Sequence, residues 1–169
     1  MQFSLTILLS LLTMTAFAQT KTPTNKHFWH TVETTAAPEQ IWQLWTNVPN
    51  WKNWDTGLKD ATIEGTFQLN AKGQITSLEG RTSNFKVVEY VAGKSYTFKT
   101  SLPFGGLYVK RFYEVKNGKT FFTHEVWFQG LTGGIFAKLF GSNFRKILPE
   151  VMKKVKQVAE NQSITNNLD

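Results

Sequence analysis

The sequence predicts an α+β fold: an antiparallel sheet of about seven strands and one long C-terminal helix, with two short helices after the first strand. Three observations lead there. Between Thr34 and Asp55 a strand-like segment gives way to helical spacing at a defined point, and the segment carries Trp42, Trp45, Trp51 and Trp54. From Thr62 to Gln129 short β-rich stretches alternate with turn signals. From Ile135 to Glu160 apolar residues recur at helical spacing along one stripe.

The first strand is expected at His27 to Thr35. Pro38, with its fixed φ and no N–H to place, suits the first turn of a helix, and Glu39 puts a negative charge at the positive end of the dipole. Helical spacing puts Ile41, Trp42 and Trp45 on one face. Pro49 then interrupts the pattern and hands over to a second short helix or turn bearing Trp51 and Trp54. Six further strands are expected at Thr62–Phe67, Gly73–Glu79, Phe85–Val91, Ser95–Leu102, Leu107–Val115 and Thr120–Gln129. Turn residues separate them at Asn70–Gly73, Ala92–Lys94, Pro103–Gly106 and Asn117-Gly118. The last is a two-residue hairpin signal, since both positions of a type I′ turn need positive φ. Short turns between consecutive strands make an antiparallel meander. The final helix carries Phe136, Phe140, Phe144, Ile147, Leu148, Val151, Val155 and Val158 on its stripe, and Pro149, inside it, predicts a kink.

On these residues the chain resembles the polyketide cyclase/dehydrase and lipid-transport superfamily, the START-like or helix-grip proteins. The matching steps are Ala37-Pro38-Glu39-Gln40-Ile41-Trp42 at the end of the first strand and Trp51-Lys52-Asn53-Trp54 after it. The order of elements extends the resemblance over the whole domain. It implies a helix-grip fold, in which a curved antiparallel sheet of about seven strands is wrapped around the long C-terminal helix, and between them a cavity that holds a hydrophobic small molecule or lipid. The cyclases and dehydratases of the superfamily work in that same cavity, but they share no catalytic motif that could be carried over residue by residue.

Length and composition bound the rest. A chain of 169 residues with 41% hydrophobic content fills one domain and not two. Leu5 to Phe17 carries no charge and closes with Ala16-Phe17-Ala18, an apolar core and cleavage signal too short for a comfortable membrane span. Met1 to Ser4 contains no Lys or Arg, a departure from the usual leader. The expectation is a signal peptide over 1–18 cleaved after Ala18, a periplasmic or secreted protein, a domain over 19–161 and a disordered tail over 162–169. The absence of cysteine excludes disulfides, thiolate metal sites and cysteine nucleophiles. The net charge of +7 comes mostly from lysine, concentrated at Lys138, Lys146, Lys153, Lys154 and Lys156. That reads first as a solvated helix face and second as a surface drawn to anionic membrane. Nucleic acid is not an expected partner, because the three arginines, Arg81, Arg111 and Arg145, are far apart and no recognition module is present.

Alternation decides which residues enter the cavity. The more apolar sets are Tyr96, Phe98, Thr100, Leu102; Leu107, Val109, Arg111, Tyr113, Val115; and Phe122, His124, Val126, Phe128. On that choice Arg111, Tyr113 and His124 are the polar groups inside; a register slipped by one residue would substitute Tyr108, Lys110 and Glu125. Each of the three has a plain structural reading, as an ion-pair partner, amphipathic packing or a satisfied core histidine. Together they suit a pocket in which Trp54, Phe98, Tyr113, Phe136 and Phe140 make apolar contact while Arg111 and His124 orient a polar group. The enzymatic alternative gives His124 the role of general base and Arg111 that of enolate stabiliser, with Tyr113 as a third candidate. Binding without catalysis is the leading expectation; a cavity filled by the protein's own side chains is a third reading. No metal or cofactor is expected: His27 and His30, three apart on a strand, point to opposite faces. The glycine-rich loops Pro103–Gly106 and Gly130–Gly134 read equally as turns or as gates over the cavity.

Overall fold

The computed structural model describes residues 22–166, with side chains through 162, so the expected leader lies outside the described residues. Seven strands form one antiparallel sheet: β1 (His27–Thr34), β2 (Leu58–Ile63), β3 (Lys72–Ser77), β4 (Thr82–Val91), β5 (Ser95–Leu102), β6 (Gly105–Lys116) and β7 (Lys119–Gly130). Their order across the sheet is β1-β7-β6-β5-β4-β3-β2. The meander from β2 to β7 thus ends beside β1, and β1 and β2 form the two edges. Helix α1 (Pro38–Thr46) and a 3-10 helix (Val48–Asn53) carry the chain from one edge to the other. Register shifts at Leu58/Asp60 and Val87/Glu89 mark β-bulges, which bend and twist the sheet into its curve. Helix α3 (Ser142–Asn166) packs against β1 and α1. This is the curved sheet gripping a long helix that the resemblance implies.

Local chemistry sets the strand-to-helix step at Ala37. Pro38 opens α1, and the Gln40 side chain turns back to accept the Ala37 N–H at 2.8 Å, taking one of the donors that a helix start leaves free. Ile41, Leu44 and Trp45 are buried and Trp42 half-buried. Trp51 and Trp54 are buried too, and the Trp51 indole N–H donates to the Trp45 carbonyl at 2.9 Å, locking the two short helices together.

Two expectations need correction. The second strand runs over Leu58–Ile63, not Thr62–Phe67. Gly65, at φ 68°, turns the chain out of the ladder, and Phe67 is buried by packing edge-on to Tyr96 at 4.6 Å. The final helix is not one continuous rod from Ile135: a short α2 (Gly133–Phe136) passes into a π-helical turn over Ala137–Gly141 before α3 begins. The π turn sits where Gly141 meets the N-terminal segment, and a Cβ there would lie 2.0 Å from the Asn25 carbonyl oxygen. The irregularity falls there, while α3 runs through Pro149, an exposed position where water can take the carbonyl the proline cannot serve. Helix α3 continues through Asn166.

Candidate functional site

The pleat sorts β5, β6 and β7 into two faces, and the inward one is the more apolar set. Tyr96, Phe98, Thr100, Arg111, Phe122, His124, Val126 and Phe128 are all buried. Tyr108, Lys110 and Glu125 stand on the opposite face. Pairing aligns the polar residues of the inner face in one row: His30 opposite His124, His124 opposite Arg111, Arg111 opposite Tyr96.

Arg111, 3% exposed, is the centre of this row. Its guanidinium carbon lies 4.4 Å from the Trp51 ring centre, 4.7 Å from Trp54, 5.5 Å from Phe98 and 5.8 Å from Tyr96. Such a cage stabilises a cation through the ring quadrupoles, by about 2 kcal/mol when desolvated. Arg111 Nη1 donates to the Tyr96 hydroxyl at 2.6 Å, and that hydroxyl donates onward to the Trp45 carbonyl at 3.1 Å. Burial, opposed by the Arg111 charge, pushes the Tyr96 phenol up to about 12, so it stays protonated and able to donate. No carboxylate is close enough to form an ion pair with Arg111 among the described residues.

His124 is held neutral. Burial lowers its pKa well below the usual histidine value, and the positive charge of Arg111 and then His30 push the same way. Its ring lies against Trp45 and Trp54, with centres 5.6 and 6.0 Å away. Asp55, on the segment leading into β2, faces the same space. Its side chain accepts the Gly57 N–H at 3.1 Å, and its pKa is raised by burial against the lowering effects of Arg111 and that hydrogen bond.

Between sheet and helix lies a cavity of about 450 Å³. Its walls are apolar: Phe28, Phe98, Leu102, Leu107, Val109, Val126 and Phe128 from the sheet, Phe140, Phe144, Ile147, Leu148 and Val151 from the helical segment. Asp55, Ser77, Thr100, Arg111, His124 and Asn143 add polar groups. Four of these lining residues carry a buried polar atom with no hydrogen-bond partner among the described residues: Ser77 Oγ, Thr100 Oγ1, Arg111 Nε and His124 Nε2. Unsatisfied buried groups cost roughly 1–3 kcal/mol each and are uncommon, so a cluster of them around one hollow marks a place suited to water or a ligand.

Of the residues that sequence reasoning placed here, Phe98, Arg111, His124 and Phe140 line the cavity. Trp54 stands behind them, against Arg111 and His124. Phe136 stacks on Phe140 at 6.0 Å outside the lining. Tyr113 packs its ring on Trp45 and gives its hydroxyl to the Gly93 carbonyl, away from the cavity. Asp55 and Trp51 are the additions; Asp55 directly follows the tryptophan-rich segment, but its inward aim depends on the turn at Gly57. The two glycine-rich loops are bound to each other. Leu131 N–H donates to the Phe104 carbonyl at 3.0 Å and the Thr132 hydroxyl to the Pro103 carbonyl, so they form one unit at the end of the sheet. Among the described residues no cluster of three or more His, Asp or Glu could hold a metal ion.

The model of the family described as polyketide cyclase / dehydrase and lipid transport matches residues 26–160. Among solved structures, a protein from Nitrosomonas europaea superposes with a TM-score of 0.67 at 10% identity, over 85% of this chain and 99% of that one. A hypothetical protein from Helicobacter pylori gives 0.67 at 8% identity, over 94% and 99%. The di-domain aromatase/cyclase of the steffimycin biosynthetic pathway gives 0.61 at 13% identity, over 81% of this chain and 51% of that chain. No curated protein sequence matches significantly.

Proposed function

The chain belongs to the polyketide cyclase/dehydrase and lipid transport family, and we propose that it is an exported carrier for a hydrophobic small molecule with a polar end, lipid-like or aromatic. The observation that carries this reading is the chemistry of the cavity wall. Apolar over most of its area, it concentrates unsatisfied polar atoms on Arg111, His124, Thr100 and Ser77. An apolar body would fill the helical side, and a carbonyl or anionic end would take the donors near Arg111. The uncharged run ending at Ala16-Phe17-Ala18 supports export.

The test is native mass spectrometry of protein purified without detergent, with extraction of any bound molecule, followed by titration with anilinonaphthalene sulfonate, an apolar anion. Binding is expected, weakened about 10-fold or more in Arg111→Met, since a charge-assisted hydrogen bond contributes about 1.5–3 kcal/mol. In Phe140→Lys it should be lost. A folded wild type that binds neither probe nor fatty acid would refute the carrier. Fractionation with N-terminal sequencing tests export, and full-length chain in the cytoplasm would sink it.

A catalytic second reading rests on Asp55. Its pKa is raised by burial, the usual tuning of a carboxyl that moves protons near neutral pH. Burial, and then the positive charge of Arg111, depress the proton affinity of His124 and count against it as a base. Product formed from an aromatic polyketide by the wild type and not by a folded Asp55→Asn would favour the enzyme.

A further inference from the structure

At the end of the sheet where β5 turns into β6 and β7 runs into α2, four large apolar side chains point into solvent. Phe104 is 80% exposed, Leu131 89%, Ile135 61% and Leu139 64%. Isolated exposed apolar residues are ordinary, but a cluster on adjoining segments marks an interaction surface. The backbone is built to present it. Phe104 adopts a positive φ of 53°, which L side chains rarely do. It is kept there because Gly130 packs on it so closely that a Cβ would lie 2.5 Å from the Phe104 carbonyl oxygen. The Leu131 and Thr132 hydrogen bonds described above then fix the second loop to the first.

The charge around this crest has one sign. Residues 95–113 and 126–149, which comprise both loops and their flanks, contain no Asp or Glu; their exposed cations are Lys138, Arg145 and Lys146, while Arg111 is buried in the cavity wall and Lys110 pairs with Glu89 on the outer face. Lys138 is exposed between Ile135 and Leu139. The β3–β4 turn brings Glu79 near this end of the cavity, but Arg81 lies 3.6 Å from that carboxylate. The lysine-rich length of α3 differs: Glu150 and Glu160 interrupt it, and Glu160 lies 3.8 Å from Lys156.

We propose that this crest seats the protein on an anionic lipid bilayer, with Phe104, Leu131, Ile135 and Leu139 inserted among the lipids and Lys138, Arg145 and Lys146 at the headgroups. A bilayer is the occupant that wants both features at once, apolar side chains that enter it and surrounding cations in excess of carboxylates. The docking does not depend on what the cavity holds. The crest does adjoin it, since Leu102, Leu107, Phe128 and Phe140 line the cavity next to these exposed residues.

Absence of native cysteine makes a direct test available. The full chain carrying Phe104→Cys is labelled with an environment-sensitive fluorophore. A second, carrying Lys94→Cys in the β4–β5 turn at the opposite end of the sheet, serves as control. Both are mixed with vesicles of equal parts phosphatidylcholine and phosphatidylglycerol. The label at 104 should shift to the blue and the label at 94 should not. In co-sedimentation of the unlabelled chain, Leu131→Ser and Ile135→Ser should each weaken binding about 10-fold, Lys138→Ala about 5-fold, and added salt should weaken it further. The proposal is overturned if the two labels respond alike, if pure phosphatidylcholine binds as well, or if the crest variants bind as the wild type does, as they would were the apolar leader responsible. It is equally overturned if the crest proves to be a contact between copies, with the variants dissociating a dimer and no vesicle binding in any of them.

Discussion

The sheet has two hollows of similar size on its opposite faces. The outer one, about 520 Å³, is lined by His27, Trp29, Thr31, Phe112, Glu114, Lys116, Phe121, Thr123 and Glu125; the inner one, about 450 Å³, holds Arg111 and His124. Both are rich in aromatic residues, and both contain a histidine and a basic side chain. The difference lies in what their polar atoms have to bond with. On the outside His27 meets Glu125 at 2.6 Å, Lys116 meets Glu114 at 2.7 Å and the Thr31 and Thr123 hydroxyls meet at 2.8 Å. On the inside Arg111 has a cage of rings in place of a carboxylate, and four polar atoms of the lining lack a partner. Volume does not separate a site from a surface hollow here; unfinished hydrogen bonding in a buried place does.

Paired substitutions on the two faces probe that contrast, and the widest gap should come from tryptophan. Trp51 is buried, stacks on Phe85 at 5.6 Å and lies under Arg111. Trp51→Ala should destabilise by about 3–5 kcal/mol in urea unfolding, as for other large buried rings. Trp127, half-buried outside and stacked on Tyr108 at 5.2 Å, should cost about 1 kcal/mol when replaced by Ala. Equal losses would mean the two faces are equally packed.

Tyrosine gives the next gap. Tyr96→Phe removes the hydroxyl that bridges Arg111 to the Trp45 carbonyl, leaves Arg111 Nη1 without that partner while the Trp51 indole still serves the carbonyl, and should cost roughly 1–3 kcal/mol. Tyr108→Phe on the outer face should stay within about 0.5 kcal/mol. If Tyr96→Phe is also neutral, the inner row is not a connected network.

The pH dependence sharpens the comparison. His124 has a depressed pKa in the folded state, so below the unfolded value of 6.5 the unfolded chain binds the extra proton and stability falls as the solution is acidified. The loss should approach about 1.4 kcal/mol per pH unit below 6.5, down to the folded-state pKa. Asp55 acts in the opposite sense: with its pKa raised, it favours the folded state in acid and withdraws that stability as pH rises through the range above 3.8. Unfolding curves of wild type and His124→Asn between pH 7 and pH 5 should therefore diverge, the variant being the flatter. Parallel curves would mean that His124 is hydrated.

The smallest effect belongs to Lys110, Arg111's neighbour in β6. It faces out, 3.8 Å from Glu89, and Lys110→Ala should change stability by less than about 0.5 kcal/mol. A larger loss would show that the outer face carries electrostatic weight that its exposure argues against.

Much of this arrangement is written in residue pattern. The step at Pro38, the order of strands and turns, the apolar stripe of the long helix and the inward placement of Arg111 and His124 follow from periods of two and of three to four. Those periods report which face of an element meets the core, and one residue of slip would have put Lys110 and Glu125 inside instead. Tertiary structure decided the rest. The second strand starts early because Gly65 and the Asp55–Gly57 turn define its ends, a matter of backbone angle rather than hydrophobicity. A π turn replaces straight helix where Gly141 presses on Asn25, a contact between residues far apart in sequence. Tyr113 obeys the alternation yet misses the cavity, since position along the strand, which no period encodes, puts it beside Gly93. Asp55 becomes part of the site, and Arg111 acquires rings instead of a carboxylate, only when the 3-10 helix folds over the sheet. A sequence pattern fixes which way a side chain faces; what it meets there depends on how the chain closes in three dimensions.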